Sequence, residues 1–209
     1  GFSEFFGGNP TLIATTSNFT GTNEWTDFSP RASLNFTVND QNSVYFSYSQ
    51  GFKGGSFDPR GQTSAAPDFD NSGAVTADEV FRFMSFDPEE VDSYEVGWRL
   101  DNGRYRHAVA VFFMDYQDVQ IPGSVGVDTN GDGINDTFTG VTTNAAAATI
   151  QGVEYEGSVL IADDMSGNGD TLSLNWAVGL LDGEYDSFIN AFGVDISNQV
   201  QIQNTPDMT

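Results

Sequence analysis

Apolar and polar residues alternate with a period of two along six stretches, the signature of strands with two unlike faces. In 30–38, Ala32, Leu34, Phe36 and Val38 oppose Arg31, Ser33, Asn35 and Thr37. Asn39 to Asn42 reads as a tight turn. In 43–52, Val44, Phe46 and Tyr48 oppose Ser43, Tyr45, Ser47 and Ser49. The third stretch, 90–100, sets Tyr94, Val96, Trp98 and Leu100 against Ser93, Glu95, Gly97 and Arg99. Asn102-Gly103 is a strong hairpin signal. It leads into 104–117, where both faces are apolar and the facing is ambiguous. In 148–162, Val153, Tyr155, Val159 and Ile161 oppose Gly152, Glu154, Glu156 and Ser158. The last, 171–181, sets Leu172, Leu174, Trp176, Val178 and Leu180 against Ser173, Asn175, Ala177 and Gly179.

The connections alternate in length: short at 39–42, 101–103 and 163–170, long at 53–89, 118–147 and 182–209. An antiparallel meander with short turns at one end and long loops at the other is the layout of a membrane β-barrel. The expected fold is therefore all-β: a segment of an antiparallel up-and-down transmembrane barrel, with short periplasmic turns and long extracellular loops. Tyr48, Phe52, Tyr94, Phe112, Phe113, Tyr116, Tyr185 and Phe188 lie toward strand ends. This suits interfacial girdles, although aromatics favour strands in any case. No apolar run approaches the ~20 residues of a membrane-spanning helix, a test to which strands are invisible.

Composition narrows the function. The formal charge is -23, from 30 acidic and 7 basic residues, which repels phosphate and argues against nucleic acid as a partner. Aromatics at 13% argue against the disorder that such acidity would otherwise suggest. With no cysteine, disulfide frameworks and thiolate metal sites are excluded. The chain opens on Gly1 without a basic-then-apolar leader and closes just beyond Pro206. The expectation is a slice of a longer chain.

One local motif suggests a metal. Asp128, Asn130 and Asp132 alternate, Gly133 follows, Ile134 offers a carbonyl and Asp136 stands in the ninth place. This matches the start of a calcium loop. The twelfth place, however, is Thr139 rather than Glu, so an EF-hand is not expected. A short calcium loop that stiffens the surface and a solvated Asp/Asn/Gly turn stand as equal readings. No other cofactor is required. Glu154 and Glu156 share a face, and paired carboxylates can do acid-base chemistry. Without other catalytic groups nearby they read instead as lumen lining, paired with a basic residue such as Arg31 or Arg99. His107, the single histidine, has no partner to complete a metal set. No nucleophile elbow or phosphate loop is present, so no enzyme is expected.

Several strings stand in order along the chain. Ser29-Pro30-Arg31 opens a strand. A longer run goes from Tyr45 through Ser47-Tyr48-Ser49 to Gly51-Phe52-Lys53-Gly54-Gly55 and Phe57. Glu89 to Gly97, Phe112 to Gln120, Asn144 with Gly152-Val153-Glu154, and Leu181-Asp182-Gly183 with Tyr185 follow. In this order the strings resemble the barrel of TonB-dependent outer-membrane receptors, and the run from Tyr45 to Phe57 is similar to a hallmark of that family. Ala145-Ala146-Ala147 and the insert in 118–147 depart from the pattern.

The resemblance implies a bacterial outer-membrane receptor, in contact with outer-membrane lipid, for a ferric siderophore or another scarce nutrient. TonB would energise it through a region outside 1–209, where no plug domain is identified. Loop residues Phe52, Lys53, Phe57, Tyr116 and Gln117 are the ligand candidates. Arg31, Asn35, Tyr45, Glu95, Arg99, Glu154, Glu156 and Asn175 are expected to line the lumen. Six strands fall far short of the ~22 of a plugged transporter barrel, and open edges are costly in lipid, so this segment does not transport alone. A passive porin and a soluble calcium-stabilised β-sandwich adhesin are the alternatives.

Overall fold

The computed structural model describes residues 19–127, 134, 137–190, 194–203 and 205–209. Six long strands form one antiparallel meander: β1 (Arg31–Asn39), β2 (Asn42–Lys53), β5 (Glu89–Asp101), β6 (Tyr105–Val127), β7 (Thr137–Asp163) and β8 (Thr171–Phe188). They lie side by side in chain order, as a meander must. The sheet is open. Asp207 and Thr209 bond to the outer edge of β8 at Leu181 and Gly179. Among the described residues nothing pairs with the outer edge of β1.

At the turn side the strand ends agree with the alternation pattern to within one or two residues. The turns are closed by side chains there. Asn39 Oδ1 accepts from the Gln41 N–H at 3.0 Å, and Asp101 Oδ1 accepts from the Gly103 N–H at 2.8 Å.

At the opposite end the strands run further than the alternating stretches. β6 continues to Val127, β7 begins at Thr137, and β8 reaches Phe188. Most of 118–147 is thus a tall hairpin standing beyond the other strands. Pro122 and Gly123 hide it from a periodicity reading, because proline interrupts a central strand. β5 ends the ladder on that side at Glu90, opposite Gln117. Pro122 therefore pairs only with β7, opposite Thr142, on the kind of free edge where a strand tolerates proline. A bulge between Tyr116 and Val119, with Asp118 at φ 53, marks where the hairpin leaves the sheet.

The connection 53–89 is also structured. β3 (Ser56–Phe57) pairs with β4 (Ser85–Phe86), and α1 (Ala77–Met84) lies between them. Thr76 caps α1 by accepting from the Glu79 N–H, while the Glu79 carboxylate accepts from the Thr76 N–H, a reciprocal capping box. Phe57 and Phe81 meet edge to face at 5.3 Å, with Phe19 and Trp25 completing a small aromatic core.

Candidate functional site

The register sorts every strand residue onto one of two faces. Leu34, Phe46, Val96, Val111, Val153 and Leu180 form one continuous row across all six strands. The next row on that face, toward the turns, is Phe36, Val44, Trp98, Val109, Tyr155 and Val178. This face is apolar. Its loop-side margin carries Tyr48, Tyr94 and Phe113, with neighbouring rings 5.0 and 6.5 Å apart. Its turn-side margin carries Tyr105, His107, Tyr155 and Trp176, with His107 between Tyr105 and Tyr155 at 6.4 and 5.9 Å. His107 Nδ1 lies 2.9 Å from the Tyr155 hydroxyl, so the imidazole is a packed group. The pairing also resolves β6: Val109 and Val111 are apolar-face residues, whereas Ala108, Ala110, Phe112 and Met114 belong to the other side.

That other face holds all eight residues expected in the lumen: Arg31, Asn35, Tyr45, Glu95, Arg99, Glu154, Glu156 and Asn175. Three of them meet. The Tyr45 hydroxyl donates to Glu95 Oε1 at 2.6 Å, and the Arg99 guanidinium lies over the Tyr45 ring at 4.6 Å. Gly97 makes this possible, because a Cβ there would stand 2.2 Å from the ring. The expected pairing of Glu154 or Glu156 with Arg31 or Arg99 is absent among the described residues. Glu156 and Arg99 share a row, but Ala108 of β6 separates them. Two strand spacings are about 10 Å, and the Arg99 guanidinium lies the other way, over Tyr45.

The five ligand candidates do not come together. Lys53 and Tyr116 fall on the polar face, Phe52 and Gln117 on the apolar one. Lys53 Nζ is 3.4 Å from Glu89 Oε2, and Phe57 packs into the aromatic core beneath the loop. Asp128, Asn130, Asp132 and Asp136 lie outside the described residues, and Ile134 is exposed. Thr139, the twelfth residue of that motif, is 2% exposed. Its hydroxyl donates to the Arg60 carbonyl at 3.1 Å and accepts from the Gln62 N–H at 2.8 Å. It therefore serves loop docking.

Docking joins the 53–89 loop to the tall hairpin. Gln120 donates through Nε2 to the carbonyls of Gly54 and Asp87 at 3.1 and 3.0 Å. Its own N–H donates to Glu89 Oε2. Asn144 donates to the carbonyls of Asp87 and Asp118, both at 2.8 Å, and accepts from the Asp87 N–H. Asp58, only 3% exposed, takes two hydrogen bonds from the Arg60 guanidinium and one from the Thr142 hydroxyl at 2.8 Å. Further along the loop, carboxylate oxygens of Asp68, Asp70 and Glu79 lie within 4.8 Å of one another.

The Arg60 guanidinium, with help from its N–H and from Thr142, holds the Asp58 carboxyl below its ordinary value of 3.8. A depressed acid contributes stability that is complete above the ordinary value and lost as pH falls through the lowered one. Docking of 58–62 is therefore expected to persist from pH 7 to about 4 and to release only at stronger acid. Proteolysis of the loop with an acid-active protease at stepped pH checks this; release between pH 5 and 7 would contradict it.

A family model described as TonB dependent receptor-like, beta-barrel, matches residues 3–209. The chain belongs to that family. The structure of this receptor-family segment is similar to the crystal structure of the ferric yersiniabactin uptake receptor FyuA from Yersinia pestis. The TM-score is 0.53 at 18% identity, over 85% of this chain and 21% of FyuA. The segment thus spans about a fifth of that receptor. No curated protein sequence matches it. The family is one of transport receptors rather than enzymes. The sandwich alternative fails, because the six long strands form a single sheet of a barrel family.

Sequence reasoning placed Gln120 and Asn144 in family strings but gave them no task. It missed Asp58 and Arg60, for which no local pattern exists. It also missed Asp68, Asp70 and Glu79, which a count of twelve from Asp68 finds at once.

Proposed function

We propose that this chain is part of a bacterial outer-membrane receptor that imports a ferric siderophore, or a nutrient of similar scarcity, with energy delivered through TonB. The observation that carries the membrane placement is the apolar face bounded by two aromatic margins. Along β6, Tyr105 and Phe113 are eight residues apart, about 27 Å at ~3.4 Å per residue. A strand tilt of roughly 40° reduces this to about 20 Å along the barrel axis, close to the ~25 Å apolar band of such barrels. The apolar face would meet lipid. The face with Tyr45, Glu95, Arg99, Glu154 and Glu156 would line the lumen, where carboxylates and a guanidinium stay hydrated.

In this reading the tall hairpin and the docked 53–89 loop form an outer vestibule that first meets the ligand, and no residue acts catalytically. The structural similarity to a ferric yersiniabactin receptor supports a siderophore as the cargo class. A passive porin would share the two-faced sheet, so energy dependence separates the two. The test is to express the complete receptor in a bacterium stripped of its own siderophore receptors, then follow uptake of radiolabelled iron from a panel of ferric siderophores. Uptake of at least one complex, abolished by deleting tonB, is expected. Uptake that survives the deletion would favour a pore; no uptake of any iron complex would remove the siderophore assignment.

A further inference from the structure

We propose that residues 68–79 form a calcium-binding loop that locks the 53–89 segment in place. Two observations of separate origin point to the ion. The first is the order of residues. Counting Asp68 as one, Asp70 is third, Ser72 fifth, Gly73 sixth, Ala74 seventh, Thr76 ninth and Glu79 twelfth. A twelve-residue calcium loop takes oxygen ligands at positions one, three, five, seven by its carbonyl, nine and twelve, with glycine at six for the sharp turn. Every place here holds a suitable group, including the twelfth-place Glu that the 128–136 motif lacks.

The second observation is a buried charge without a countercharge. Glu79 is 8% exposed. Its carboxylate accepts only from the N–H groups of Phe69, Asp70 and Thr76 and from the Thr76 hydroxyl. Oxygens of Asp68 and Asp70 stand within 4.8 Å of it and of each other. No basic side chain pairs with any of the three carboxylates among the described residues. Arg82, one helical turn beyond Glu79, lies over the Phe69 ring at 4.3 Å instead. Three anionic groups gathered around one point, one of them buried, are stable there with a cation between them.

The backbone is set for that geometry. Gly73 has φ +91, open to glycine without strain. Asp68 accepts from the Gly73 N–H at 2.7 Å, and Asp70 from the Ser72 N–H at 2.9 Å, which wraps the loop around the two carboxylates. All donors are oxygens, and a twelfth-place carboxylate can bind through both of its atoms. That favours calcium over the smaller magnesium, which demands near-ideal octahedral geometry. The arrangement departs from an EF-hand on one side: α1 follows the loop, but the chain before it is extended after a 3-10 turn at Thr63–Ala65. The loop is tied to the tall hairpin upstream through Asp58 and Arg60, and to β4 downstream through α1. An ion here would clamp the stretch between those ties, whatever nutrient the receptor carries.

The test uses the complete receptor in detergent, stripped of metal with a chelator. Calcium chloride should protect 68–79 from limited proteolysis in the wild type, and magnesium chloride should not. In calorimetric titration the double variant Asp68→Asn, Glu79→Gln should bind one calcium fewer, and Glu79→Gln alone should lower that site's affinity about tenfold or more. An Asp132→Asn variant should keep the site. Equal cleavage of the wild-type loop in calcium and in chelator would overturn the proposal. So would a folded double variant that binds as many ions as the wild type.

Discussion

Arginine in place of Val111 is expected to destabilise the membrane-inserted receptor by about 2–4 kcal/mol, the cost of a cationic side chain at the lipid-facing midplane of a β-barrel. Val111 sits in the central apolar row, between Val96 of β5 and Val153 of β7, with two aromatic margins on either side of it. The guanidinium has no partner there and no short path to an interface. Arginine at Ala110, the next residue, should cost less than about 1 kcal/mol, because a lumen-facing group stays in water. Ala110 lies opposite Glu154, so the new cation gains an opposite-charge neighbour across the strands. Urea titration of the complete receptor folded into lipid vesicles measures both. Equal costs would mean that the two faces meet the same medium, and the lipid assignment would fall.

Leucine in place of Gln120 is expected to loosen the 53–89 loop by about 2–3 kcal/mol. Gln120 is 9% exposed, and its amide joins the carbonyl of Gly54, where the loop leaves β2, to that of Asp87, where it returns to β5. Leucine fills similar space but donates nothing, and a buried acceptor left unmatched costs about 1–3 kcal/mol. The two ends should respond unequally. Asn144 still donates to Asp87 in the variant, whereas the Gly54 carbonyl loses its Gln120 donor. Amide hydrogen exchange should rise more at 54–57 than at 87–89. Unchanged exchange at 54–57 would show that the staple carries no weight.

Much of this arrangement was legible beforehand because it repeats. Alternation over at least four residues reports a strand whatever its partners are. Turn residues such as Asn39, Asp101 and Asn102 act on the backbone within a few positions of themselves. The family strings added the order of the strands and the receptor assignment. The ligand candidates were harder to place: Phe52, Lys53, Phe57, Tyr116 and Gln117 share a region of sequence, yet a one-residue step reverses the face. Phe57 looked like an exposed loop aromatic, and only the positions of Phe19, Trp25 and Phe81 make it a core residue.

The sequence by itself determined the two-faced antiparallel meander and the ends of its strands at the turns. It also determined the membership of the polar-face set on β1, β2, β5, β7 and β8. All of these follow from local backbone geometry and a period of two. Tertiary structure alone decided which side of β6 faces which, because both of its faces are apolar and only pairing with β5 and β7 separates them. It also decided the height of the β6–β7 hairpin, where Pro122 and Gly123 are tolerated because one edge is free. The joining of Asp58 to Thr142 and of Gln120 to Gly54 was decided there as well, for such contacts link residues 66 to 84 positions apart. Nothing in the intervening chain records them.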